Sequence, residues 1–105
     1  MKKLLLIILA VALNLSLMAQ NPSKLQKNME AVLIDAVQLF EDARYKDAKD
    51  RLSVIVDADP ANDAAYYYLG LSNYYLGDIK DAEVALREAV RLDPENYWYR
   101  DRLAV

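Results

Sequence analysis

Apolar side chains recur at three- and four-residue steps along most of this chain, the spacing of one buried face on a helix. Val32, Ala36, Leu39, Phe40 and Ala43 form the first such stripe and predict a helix from about Met29 to Asp42. The stripe restarts at Tyr45 and runs through Ala48, Leu52, Ile55 and Val56 to Ala58. Asp59-Pro60 closes this second helix, because proline pushes the residue before it out of the helical region and has no N–H to donate. Asn62 or Asp63 can cap a third helix by accepting from its free N–H groups. That helix runs from Asp63 to Leu76 with Tyr66, Leu69, Gly70 and Tyr74. Gly77-Asp78 turns the chain, glycine being the usual residue where a helix ends left-handed. Ile79, Ala82, Leu86, Ala89, Val90 and Leu92 predict the inner face of a fourth helix that Asp93-Pro94 ends, and a further helix opens at Tyr97. No segment alternates as a strand does, so the predicted class is all-α.

The N-terminus follows a different pattern. Met1-Lys2-Lys3 precedes ten uninterrupted apolar residues, Leu4 to Leu13, and the stretch ends at Met18-Ala19 before Gln20. A basic start, an apolar run of this length and a small terminal residue predict a secretory signal peptide over residues 1–19. Leu17 is larger than the small residue expected near a cleavage site. The alternative is a retained membrane anchor, but Asn14 and Ser16 interrupt the run well short of the roughly 20 apolar residues that a spanning helix needs. Residues 20–28 are polar, contain Pro22, and read as a short lead into the first helix.

The stretch Lys46-Asp47-Ala48, Leu52, Val56, Asp59-Pro60, Asn62 returns 34 residues later as Lys80-Asp81-Ala82, Leu86, Val90, Asp93-Pro94, Asn96, giving 8 identities in 17 positions. Composition alone would give roughly one. A 34-residue period on a helical pattern resembles the tetratricopeptide repeat (TPR). In the unit 63–96 the resemblance rests on Tyr66, Leu69-Gly70, Gly77-Asp78, Ala82, Leu86, Ala89 and Pro94. It departs at Asn73, where the family carries an aromatic. The unit 29–62 keeps Ala36, Tyr45, Ala48, Leu52 and Pro60 but has Asp35 in place of leucine and Ala43 in place of glycine, departures that fit a terminal repeat. Residues 97–105 look like the start of a third unit. The resemblance implies a short right-handed solenoid of antiparallel helix pairs, in which Ala36, Ala48, Gly70, Ala82 and Ala89 let helices approach closely.

Charge and residue inventory narrow the function. The chain has 13 basic and 16 acidic side chains, no histidine and no cysteine, and loss of residues 1–19 would leave a net charge of −5. An acidic surface repels phosphate backbones, which argues against a nucleic-acid partner. Without Cys or His the usual nucleophile, base and metal constellations cannot be built, and the paired acids Glu41-Asp42, Asp47 with Asp50, and Asp57 with Asp59 read as solvated charge. No enzyme activity, cofactor or metal is predicted.

The aromatics are the feature left over. By the resemblance, the first helix of each unit lines a concave groove, and the side chains it would place there are Leu33, Val37, Phe40, Tyr67, Leu71, Tyr74, Tyr75 and Trp98. Rigid rings of this kind suit a protein or peptide partner. The same rings could instead fill space between repeats. The groove lacks the basic residues with which related domains clamp acidic chaperone tails. The sequence therefore predicts an exported, periplasmic or outer-envelope bacterial scaffold that binds protein. Its rivals are a membrane-anchored envelope component, touching the membrane through the N-terminal segment, and the repeat appendage of a longer protein. Apolar residues from Trp98 to Val105 also predict self-association through the C-terminal end, since a short uncapped helix leaves its stripe in water.

Overall fold

The structure, a computed structural model, describes residues 22–104. The predicted signal peptide, residues 1–19, lies outside the described residues. The chain divides into two units, Met1–Glu30 and Ala31–Val105. Five helices are described: α1 (Pro22–Glu41), α2 (Tyr45–Ala58), α3 (Asp63–Tyr75), α4 (Ile79–Leu92) and α5 (Tyr97–Ala104), with no strand among the described residues. The helix boundaries follow the apolar stripes closely except at the start. In the first unit α1 already begins at Pro22, so the segment read as a lead is helical. Proline fits the first helical position, where no N–H partner is needed, and Ser23 to Asn28 contains no breaker.

Within the second unit α3 packs against both α2 and α4, and α5 packs on α4. The contact surfaces are made of small residues. Ala36, Ala48, Ala65 and Ala89 are fully buried, with Ala82 and Ala85 nearly so, and Leu52 and Ile55 fill the space between them. Each such branched side chain contributes about 1.5–3 kcal/mol by leaving water. Gly70 shows how tight the α3–α4 approach is. A Cβ there would lie 2.7 Å from Leu86 Cγ and 3.2 Å from the Ala82 carbonyl oxygen, so any side chain would force the helices apart.

The two inter-helix turns are copies of one another. After α1, the Ala43 N–H donates to the Phe40 carbonyl at 3.0 Å and the Arg44 N–H to the Leu39 carbonyl at 2.9 Å. After α3, Gly77 donates to Tyr74 at 3.0 Å and Asp78 to Asn73 at 2.9 Å. This is the Schellman pattern, which satisfies helix-end carbonyls through one left-handed residue. That residue is Gly77 at φ 87° and, in the first repeat, Ala43 at φ 62°. Asn62 caps α3, its side chain accepting from the Ala65 N–H at 3.0 Å. Asp35 is exposed, as a charged residue on a terminal helix should be.

Candidate partner-binding groove

The eight predicted groove residues do not share one environment. Leu33 and Val37 on α1 are half-buried, as are Phe40 and Tyr67, while Tyr74, Tyr75 and Trp98 are 50%, 50% and 66% exposed. Leu71 is only 7% exposed. It belongs to the core rather than to an open wall, because its place on α3 faces α4 instead of turning outward.

The rings form a continuous ladder across the helices. Tyr75 lies flat on Tyr45, centroids 4.8 Å apart and planes 13° from parallel, and sits 5.9 Å from Phe40. Phe40 meets both Tyr45 and Tyr68 edge-on at 5.5 Å. Tyr68 meets Tyr67 at 5.2 Å, and Tyr67 packs against Tyr99 of α5 at 4.9 Å. Offset and edge-to-face geometries are the favourable ones for aromatic quadrupoles, each contributing about 0.5–1.5 kcal/mol beyond burial. The rings therefore fall into two environments. Phe40, Tyr67 and Tyr68 join successive repeats, whereas Tyr74, Tyr75 and Trp98 keep half or more of their surface in solvent.

Tyr99 ties the third helix to the second repeat. It is 7% exposed and its hydroxyl donates to the Asp63 carboxylate at 2.8 Å. Burial, and then this bond to a carboxylate, push the Tyr99 hydroxyl well above the usual phenol range. Burial also raises the Tyr68 hydroxyl, with Tyr67 and the carboxylate of Glu41 adding to it. The sequence reading took Trp98 alone of Tyr97, Trp98 and Tyr99 for the groove and gave Tyr99 no role. Asn96 starts α5 by accepting from the Trp98 N–H, and the helical phase then turns Tyr99 inward and Trp98 outward.

Residues that the groove pattern omits join Leu71 and Tyr74 around a concavity beside these rings. A cavity of about 340 Å³ lies among Leu71, Tyr74, Ile79, Leu86, Arg102 and Leu103. Ile79 was read as part of the inner face of its helix, yet it is 55% exposed at the mouth of this cavity. On the other side of α3, Asn73 is 3% exposed, and its amide oxygen has no protein partner. Leu39 holds the same register in the first repeat. Among the described residues no group of three His, Cys, Asp or Glu could hold a metal, and no helix is long and apolar enough to cross a membrane.

Residues 63–96 match the family model described as the tetratricopeptide repeat. No curated protein matches the chain. A solved structure, "MamA RS-1 ArsTM double mutant", aligns with a TM-score of 0.69 and 33% identity over 71% of this chain and 42% of its own. The chain thus spans less than half the length of that relative. With two ladder-joined helix pairs in 34-residue phase and residues 63–96 matched by the family model, the described residues form an all-helical solenoid like that of tetratricopeptide repeats, an architecture of protein-interaction scaffolds.

Proposed function

We propose that this chain is an exported, non-catalytic scaffold that holds a protein partner along the first helices of its successive repeats, α1, α3 and α5. The observation that carries the reading is the exposure of Tyr74, Tyr75 and Trp98 on those helices beside a rigid, internally packed ring ladder. Half-exposed tyrosines backed by packed rings are pre-ordered, so docking an apolar anchor on them orders few side chains. Leu33 and Val37 extend the same wall on α1. The partner is a protein or peptide with apolar anchors, and the acidic net charge speaks against nucleic acid.

Mutation of the captured complex tests the groove. Tyr74→Ala and Tyr75→Ala should each weaken binding by about 1 kcal/mol or more, as aromatic anchors do. Lys80→Ala, on the exposed side of α4, should leave it unchanged. The opposite ranking would remove the groove from the account. Export rests on the segment Met1 to Ala19 alone, and intact mass on protein recovered from the cell envelope tests it. A chain beginning at Gln20 is expected; a chain that retains Met1 would favour the anchored alternative.

A further inference from the structure

A cleft of about 440 Å³ lies where α2, α3 and α4 meet, away from the ring ladder. Leu69 and Asn73 line it from α3, Lys49 from α2, and Asp81, Val84 and Glu88 from α4. All of these residues belong to one unit of the chain. Asn73 is the residue out of place among them. The first repeat has Leu39 at this register. In the second repeat the position holds an amide that is 3% exposed, and its oxygen accepts no hydrogen bond from any described residue. Burying an unpaired acceptor costs stability that a leucine there would not cost.

The rest of the cleft defines what would pair with that amide. Val84 is 69% exposed on one wall and Leu69 is half-buried, so the middle of the cleft is apolar. Charge gathers at one end. The Asn73 carbonyl accepts from the Asp78 N–H at 2.9 Å, which sets Asn73 beside the start of α4, and Asp81 follows Asp78 by one turn. Of the three charged side chains in the lining, Lys49 is held by Asp78 at 3.1 Å and Glu88 by Arg91. Asp81 has no ion-pair partner among the described residues. The unanswered groups are therefore two acceptors, one neutral and one anionic, beside an apolar strip.

We infer that this cleft is a second docking site, which takes an arginine side chain of a partner protein. The aliphatic stem lies along Val84 and Leu69, and the guanidinium donates to the Asp81 carboxylate and the Asn73 amide oxygen. A guanidinium presents five N–H donors in one plane, so a single group serves both acceptors. The last torsion of an asparagine is soft, and the oxygen can turn to a donor that enters from the cleft. Lys49 does not oppose the cation, because Asp78 already neutralises it. An anionic side chain would be repelled by Asp81, and a purely apolar one would leave both acceptors unpaired. The site shares no residue with the wall of Tyr74, Tyr75 and Trp98, so it fills or stays empty independently of that wall.

Titration of the isotope-labelled full chain with a capped arginine peptide, acetyl-Gly-Arg-Gly-amide, tests the site by NMR. The side-chain amide signals of Asn73 and the backbone amides of Asp81 and Val84 should shift and saturate. The same peptide with citrulline, which keeps the shape of arginine without its charge, should bind more weakly. Asp81→Asn, a change at an exposed position, should weaken arginine binding about tenfold, as the loss of a charged partner does. Asn73→Leu should abolish the saturable shifts and raise the thermal midpoint of the free chain, since it removes the unpaired acceptor. Asn73 signals that ignore the arginine peptide at its highest soluble concentration would overturn the inference. So would citrulline binding as tightly as arginine, or Asp81→Asn without effect. A lowered midpoint for Asn73→Leu would also overturn it, by making the amide part of the fold itself.

Discussion

Ala43 occupies a backbone conformation that its side chain disfavours. Its φ of 62° is the left-handed value that Gly77 takes without penalty at the same point of the second repeat. The conformation costs an L-residue about 1–2 kcal/mol. Ala43→Gly should therefore raise the thermal midpoint. Gly77→Ala should lower it through the backbone alone, since no atom stands within 4 Å of the added Cβ. Thermal unfolding followed by circular dichroism reads both; an unchanged or lowered midpoint for Ala43→Gly would contradict the turn geometry. This position was legible in the sequence, because the 34-residue alignment set Ala43 against Gly77 before any coordinates. Asn73 was legible only as a departure. That its amide oxygen would be buried without a partner depends on how α3 packs, which one side chain's identity does not specify.

At the scale of elements, stripes and stop signals located four of the five helices well, because Asp59-Pro60, Gly77 and Asp93-Pro94 act locally through φ and the missing N–H. The start of α1 was misread because Pro22 suits a first helical turn as well as a loop. The eight-residue α5 is too short to be stable alone and is held by its contacts, Tyr99 above all. Tyr99→Phe should destabilise the fold by about 1–2 kcal/mol, since it leaves the Asp63 carboxylate without its donor. The effect has a sign in pH. The folded-state pKa of Tyr99 is raised, so its contribution is complete below the unfolded phenol range near ~10 and is lost as pH rises beyond it. Unfolding of the two proteins from pH 8 upward should show the wild-type advantage constant at first and shrinking above about pH 10. A gap that widens there would contradict the assigned bond.

At the scale of the whole molecule, the repeat was visible because stacked units demand the same small residues at the same spacing, and Ala48, Leu52, Ala82 and Leu86 are all buried as that requires. The division of labour among the rings was not visible. Tyr66-Tyr67-Tyr68 and Tyr74-Tyr75 are alike as letters, and only the pairing of helices decides that Tyr68 joins the repeats while Tyr74 looks outward. The cavity around Ile79 and Arg102 escaped for the same reason, since it is framed by three helices of which none alone suggests it. The central claim is that partner contact runs along the exposed rings. Site-specific photo-crosslinking tests it most directly, with a benzophenone side chain placed in the full-length protein at Tyr75 and, separately, at Val54, which is 67% exposed on α2. A discrete crosslinked partner from position 75 and none from position 54 is the expected result; crosslinking from Val54 with silence at Tyr75 would contradict the claim.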